Sequence, residues 1–262
     1  MSILITGASG FIGSRLVISA CAAFGAEHVV ALSSKPGHPC PSIIYDIQGF
    51  NLSDDDRAML ENVDVLIHLG AFVPKNALQA NAIMECNGNV RFTEKLLALP
   101  FKNLKKILYI STVDVYETDS IITETTPTIP VSLYGYSKLY CEKMATIFAA
   151  NHNLVCQVLR VGHVYGPGEE KYYKVLPNAI KNILAGEAVE LWGDGSEIRT
   201  FIYIDDVVSA ILRIITHADN LGPINVVGGE PVSIRELLNK IIAVSGKRVV
   251  ITPKEFEGTK RD

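Results

Sequence analysis

Tyr134 and Lys138 stand four residues apart in Tyr134-Gly135-Tyr136-Ser137-Lys138-Leu139-Tyr140-Cys141-Glu142, which follows the loop Thr126-Pro127-Thr128-Ile129-Pro130 and reads as the start of a helix. Residues i and i+4 share one helix face, so the phenol and the ammonium can be aimed at one reaction centre. A phenol titrating at about 10 is a poor base at neutral pH, and adjacent positive charge favours its ionised form. Such a phenolate can take a proton from a hydroxyl within hydrogen-bond reach. The spacing by itself suits two structural residues equally well, and Tyr136 on the same helix has no lysine four positions on.

A second run with chemical use is Ile3-Leu4-Ile5-Thr6-Gly7-Ala8-Ser9-Gly10-Phe11-Ile12-Gly13, a buried-strand pattern passing into a helix. Ile12, Leu16, Ala20 and Ala23 recur at helical spacing, and Gly25 reads as the stop. A helix start offers unpaired backbone N–H groups and the positive end of its dipole, which hold a pyrophosphate well if no Cβ blocks the approach. Gly7, Gly10 and Gly13 remove that obstruction, although their Gly-x-x-Gly-x-x-Gly spacing departs from Gly-x-Gly-x-x-Gly and suits a plain tight turn too. At the end of the next strand, His28–Leu32, where NAD sites place an acid for the ribose, stand Ser33, Ser34 and Lys35. With no carboxylate to repel a 2′-phosphate, and Lys35 and Arg15 to attract one, NADP is favoured over NAD; Lys35 as a solvated loop lysine is the other reading.

These residues need a scaffold of buried strands alternating with helices. Further strands are expected at Ile43–Ile44, Val63–Ala71, Ile107–Tyr116 and Val155–Arg160, and Asp54–Asp56 should open a helix because carboxylates complement its dipole. The fold class is α/β, a Rossmann-like doubly wound parallel sheet whose carboxyl ends meet the ligand. His68, inside an apolar run, reads as a buried strand residue. Beyond Gly168 the alternation loosens: a helix over 176–184, an edge strand over Val189–Trp192 and a turn at Gly193-Asp194-Gly195 suggest a substrate lobe. The expected division is 1–165 for dinucleotide binding and 166–262 for substrate, with 201–222 packing back on the first.

Composition excludes much. At 262 residues and 48% hydrophobic content the chain can bury a sizeable core. A net charge of −4 with no basic cluster argues against nucleic acid as a partner, and no apolar run approaches the roughly 20 residues that span a bilayer. The sequence starts on a strand with no signal peptide ahead of it, and five cysteines without a Cys-x-x-Cys pair read as free thiols, so a cytoplasmic protein is expected. Six scattered histidines give no metal spacing.

Several strings together resemble one family. They are Thr6-Gly7-Ala8-Ser9-Gly10-Phe11-Ile12-Gly13, Leu69-Gly70-Ala71, the helix Asn89-Val90-x-x-Thr93-x-x-Leu96-Leu97, Ser111-Thr112-x-x-Val115-Tyr116, the Tyr134/Lys138 run, Leu159-Arg160 through Val164-Tyr165-Gly166-Pro167-Gly168, and Arg199-x-Phe201 to Asp206. Over essentially its whole length the chain resembles the extended short-chain dehydrogenase/reductase family, in its NAD(P)-dependent nucleotide-sugar epimerase/dehydratase group. The resemblance implies catalysis by Thr112, Tyr134 and Lys138. It implies cofactor contacts from Gly7, Gly10, Phe11, Ile12, Gly13, Ser33, Ser34, Lys35, Asn51, Leu52, Leu69, Gly70, Ala71 and Asn89 (Asn87 in an alternative alignment), together with Tyr134 and Lys138. Substrate, a nucleotide-diphosphate sugar, would meet Thr112, Asp114, His163 and Arg199, and a homodimer is expected.

The departures are Asn51 for the family's adenine-facing Asp, Glu117 for Gly, and His163 for a substrate-facing Asn; His163 could donate to a substrate oxygen, titrate near neutral pH, or serve only as a spacer. Arg199 could instead pair with Asp205 or Asp206. Sugar dehydratases of this family carry Thr-Asp-Glu where this chain has Thr112-Val113-Asp114, so the resemblance favours an epimerase acting at a sugar hydroxyl, most often C4. A 4-keto-sugar reductase using NADPH, a dehydratase, and a non-catalytic dinucleotide-binding regulator are the alternatives. Family members usually run on past Lys260-Arg261-Asp262, which suggests a reduced or shortened lobe, with Arg261 as a further diphosphate contact.

Overall fold

The structure is a computed structural model that describes residues 1–45, 50–117, 121–172 and 174–255. Arg261 lies outside the described residues. In chain order the elements are β1 (Ile3–Thr6), α1 (Phe11–Phe24), β2 (Val29–Ser33), β3 (Ser42–Ile44), α2 (Asp54–Glu61), β4 (Val65–His68), α3 (Ile83–Leu97), β5 (Lys106–Thr112), α4 (Leu133–Asn151) and β6 (Val155–Val161). They continue with β7 (His163–Tyr165), α5 (Val175–Ala185), β8 (Val189–Trp192), β9 (Ile198–Tyr203), α6 (Ile204–Thr216), β10 (Ile224–Val226), β11 (Pro231–Ser233), α7 (Ile234–Ser245) and β12 (Ile251–Lys254).

By contacts the chain divides into two compact units, the first holding Met1–Glu117, Ile122–Val161 and Ile204–Val226, the second Gly162–Tyr203 and the described residues from Val227 on. The first unit carries a seven-stranded sheet in the order β10-β6-β5-β4-β1-β2-β3. Every pairing in it is parallel, from Ile3↔Val29 and Ile3↔Val65 to Ile224↔Leu159. A parallel sheet is covered by helices on both faces, which is why β1, β2, β4 and β5 are buried at every position. Strand order reverses between β1 and β4, so the carboxyl ends of these two strands form the place where an open α/β sheet receives a ligand. On one side of the sheet Leu4, Leu32, Leu66 and Tyr109 pack with Leu60, Leu96, Cys141 and Ala145 of the helices.

Local chemistry sets the element ends. The helix expected at Asp54 begins there because the Ser53 hydroxyl accepts from Asp56 N–H while the Asp56 carboxylate accepts from Ser53 N–H. The strand expected over 107–116 stops at Thr112, whose hydroxyl accepts the Asp114 N–H and turns the chain into a single 3₁₀ turn, Val113–Val115. The strand expected over 63–71 is shorter too, ending at His68. At the amino end of β5, the Lys106 ammonium donates to the carbonyls of Ile214 and His217 at 2.5 and 2.6 Å, tying β5 to the carboxyl end of α6.

The second unit has a three-stranded sheet, β11-β9-β7, and a parallel pair, β12-β8. Its core is small: Ala179, Ile183, Val189, Leu191 and Leu238. Among the described residues no helix is long and apolar enough to cross a membrane.

Candidate active site

The glycine turn is shaped by what a side chain would strike. Gly7 has φ +65°, and a Cβ there would lie 2.9 Å from the Cα of Gly70 at the end of β4. A Cβ on Gly13 would lie 2.1 Å from the Gly7 carbonyl oxygen, which already accepts the Gly10 N–H at 2.8 Å. Gly10 itself is the N-cap of α1 and supplies no side-chain cap, so the helix presents bare backbone at its start. This cradle suits the pyrophosphate of a dinucleotide. Phe11 and Ile12 form the first turn of α1 and are half-buried, as are Leu69 and Ala71 beside the buried Gly70.

Beneath the turn runs a buried polar chain. Gly70 N–H donates to Thr6 Oγ1 at 2.9 Å; Thr6 Oγ1 and His68 Nδ1, and His68 Nε2 and Thr93 Oγ1, are each 2.9 Å apart. Thr93 gives its own proton to Asn89 O, so the network assigns the His68 proton to Nε2, and Nδ1 accepts from Thr6. Burial, with the Lys138 charge beside it, lowers the His68 pKa to about 3. Asn89, expected at the cofactor, is occupied within the protein: its Oδ1 accepts Phe72 N–H at 2.7 Å, and its Nδ2 donates to Phe72 O and to Ser137 Oγ. The sequence shows Thr6, Thr93 and Ser137 within the glycine-turn, Asn89 and Tyr134 segments but gives them no role.

At the ribose end, Ser33 is buried and its hydroxyl accepts Lys35 N–H at 3.1 Å, while Ser34 and Lys35 are exposed. Arg15, expected to attract a 2′-phosphate, instead grips Asp205 through two hydrogen bonds of 2.8 and 3.0 Å. Asn51 is exposed, and Leu52 packs against the core.

The chemical groups gather where α4 begins. Its first turn is pressed against the 3₁₀ turn after β5: a Cβ on Gly135 would lie 2.3 Å from Asp114 O, so only glycine permits the approach. That contact carries Tyr134 to Thr112. Tyr134 is 5% exposed and packed with Ala80, Cys86 and Phe72, with the Thr112 hydroxyl beside its phenol; that hydroxyl donates to the Asp114 carboxylate at 3.1 Å. Burial first, and then the Asp114 charge, raise the phenol well above its ordinary pKa, and the neighbouring Thr112 hydroxyl opposes them. Tyr136 points outward at 55% exposure.

Lys138, whose ammonium was expected to favour the phenolate, is anchored on the strand. Its Nζ donates to Ile110 O at 2.7 Å and lies 4.5 Å from the centre of the Tyr109 ring. Helical spacing shares out a face, but the long lysine side chain runs deeper, to the strand. Burial lowers its pKa to about 8, opposed by Cys141 and Glu142. One helical turn on, the Glu142 carboxylate takes Arg160 Nε and Nη2 at 3.1 and 2.8 Å, and Arg160 Nη1 donates to Tyr116 Oη at 2.7 Å. Both charges are buried, so the fork geometry and the Tyr116 bond satisfy groups that would otherwise be costly to hide.

In the second unit, Arg199 Nη1 donates to His163 Nε2 at 2.5 Å and Nη2 pairs with Glu197. The expectation that His163 titrates near neutral pH is corrected as well: burial, then the charges of Arg199 and Lys174, lower its pKa to about 3.

Comparisons with known proteins point to one family. The sequence model of the NAD dependent epimerase/dehydratase family matches residues 3–228. An uncharacterized UDP-glucose epimerase of Bacillus subtilis (strain 168) is 28% identical, over 96% of this chain and 84% of its own. A dTDP-glucose 4,6-dehydratase of Streptomyces griseus is 28% identical, over 93% and 78%. The crystal structure of a UDP-glucuronic acid 4-epimerase from Bacillus cereus in complex with UDP-glucuronic acid and NAD superposes with a TM-score of 0.85 at 28% identity, covering 98% of this chain and 87% of that one. Nothing in these comparisons supports the NADP preference. With the glycine cradle, the reversal point of the sheet and the Thr112/Tyr134/Lys138 cluster in one unit, the match over residues 3–228 shows that this chain belongs to the NAD dependent epimerase/dehydratase family of enzymes.

Proposed function

We propose that the protein is an NAD-dependent nucleotide-sugar epimerase. The observation that carries the reading is the buried Tyr134 phenol beside the Thr112 hydroxyl, which is bonded to a single carboxylate, Asp114. The nicotinamide dinucleotide, when bound, supplies the hydride acceptor and donor. Tyr134 takes the proton of the sugar hydroxyl as hydride leaves the same carbon and returns it afterwards, and Thr112 holds that oxygen. At rest the phenol is protonated; positive charge gathered nearby on cofactor binding is what brings it within range. Lys138, anchored on Ile110 O, holds the nicotinamide ribose, and Gly7, Gly10 and Gly13 admit the pyrophosphate.

Dehydration needs a second acid–base pair, and Val113 stands where dehydratases of this resemblance have Asp. NAD is proposed over NADP because Arg15 is paired with Asp205 and leaves Lys35 as the attraction for a 2′-phosphate. Arg199 is assigned to the substrate diphosphate: His163 and Glu197 each take one of its five donors, and the guanidinium fork suits two phosphate oxygens. A homodimer is proposed through α3 and α4, which expose Ile83, Met84, Tyr136, Tyr140 and Ile147. Five free cysteines support a reducing, cytoplasmic setting.

The test is native mass spectrometry of the purified protein for bound NAD, with proton NMR of UDP-, GDP-, dTDP- and CDP-sugars incubated with it, because epimers have equal mass. Retained NAD and conversion of one sugar to its epimer are expected. Bound NAD without conversion of any sugar would leave a dinucleotide-binding regulator instead.

A further inference from the structure

Ser111 is the residue that the proposed chemistry leaves idle. Among the described residues its Oγ is the buried side-chain oxygen or nitrogen without a hydrogen-bond partner. Buried polar groups are almost always paired, and an unpaired hydroxyl carries its full desolvation cost, so a group kept in that state calls for a reason. Its position supplies one. Ser111 is 5% exposed and sits at the carboxyl end of β5, immediately before Thr112, where an open α/β sheet meets its ligand. Side chains alternate along a strand, so Ser111 shares the face of Tyr109, the ring over which the Lys138 ammonium lies at 4.5 Å. Lys138 in turn donates to Ile110 O, the carbonyl just before Ser111. The idle hydroxyl thus stands between the two residues assigned to the ribose and to the reacting oxygen.

We propose that Ser111 is a cofactor-binding residue, its hydroxyl hydrogen-bonding a polar group of the nicotinamide-ribose half of the dinucleotide. The assignment rests on the dinucleotide reading given above. A serine hydroxyl both donates and accepts, so it suits a ribose hydroxyl or the carboxamide. Satisfied only in the complex, it adds to affinity without helping the free protein.

The experiment compares the parent with Ser111→Ala by calorimetric titration of NAD⁺ and of ADP, which lacks the nicotinamide half, and by melting each protein without ligand. Ser111→Ala should weaken NAD⁺ about fivefold to tenfold, the scale of one hydrogen bond, and leave ADP affinity unchanged. The ligand-free variant should melt no lower than the parent, because it loses only an unpaired hydroxyl. Equal NAD⁺ affinity in a parent that binds NAD⁺, parallel weakening of ADP, or a lower melting temperature of the ligand-free variant overturns the assignment of Ser111 while the dinucleotide reading stands. A parent that binds no NAD⁺ overturns both.

Discussion

The glycine turn and the cluster at the start of α4 are built on opposite plans. Around Gly7, Gly13 and Gly70 backbone meets backbone, and the polar groups beneath, from Gly70 N–H through Thr6 and His68 to Thr93 and Asn89, are each paired within the protein. Around Thr112 the pairing is incomplete: Tyr134 is held far from ionisation, Lys138 rests on a backbone carbonyl, and Ser111 has no partner. The first region is finished without ligand and sets a shape. The second is less complete within the protein, and on the proposed reading its groups gain their partners from what binds.

The sharpest way to break this contrast is Gly13→Val. With a Cβ 2.1 Å from a backbone oxygen that cannot withdraw, it should destabilise the fold by about 3 kcal/mol or more, measurable as a lowered urea midpoint. Gly10→Val, whose Cβ stands 3.0 Å from Gly7 O, should keep the protein folded but abolish NAD binding; an unchanged affinity in that variant removes the turn as the pyrophosphate site. In the unfinished region Tyr134→Phe should keep both ligands bound, leave stability nearly untouched and cut turnover roughly 10²–10⁴-fold, read in single turnover from the reduced nicotinamide absorbance. Near-parental hydride transfer would take Tyr134 out of the chemistry.

Acid should separate paired from unpaired chemistry less violently. His68 and His163 stay neutral down to about pH 3, whereas an unfolded histidine takes up a proton below about 6.5. The unfolded chain therefore binds more protons in that window, and stability falls as pH drops from about 6.5 towards 3, by about 1.4 kcal/mol per pH unit per histidine. Urea unfolding at pH 7 and pH 5 measures it, and His163→Asn should remove one histidine's share; a flat profile would contradict the burial of both rings. The smallest effect belongs to Lys35→Glu, an exposed change that should lower NADP affinity a few-fold and leave NAD nearly alone, checked by titration with each cofactor.

Much of this was legible in the sequence for physical reasons. Strands buried on both faces announce themselves as apolar runs, and the glycine turn shows because nothing else fits it. Tyr134 was legible through helical spacing and its surrounding string. The aim of Lys138 was not, since it depends on a carbonyl and a ring supplied by β5, nor was the neutrality of His163, set by an arginine that β9 brings alongside. Gly135 was overlooked as a residue of the site because only the position of Asp114 O reveals why a side chain is barred there.

The outermost strand of the large sheet has a consequence for how the chain is made. β10 pairs with β6 only after the 62 residues between Val161 and Ile224 have been synthesised. At about 5–20 residues per second that leaves a gap of roughly 3–12 s on the ribosome. Throughout it β6 is an open edge, a template for any other unpaired strand, and Lys106 waits for the carbonyls of Ile214 and His217. The sheet that carries the chemistry is therefore closed late in synthesis, and its most vulnerable moment comes when all the residues assigned to proton transfer have already been made.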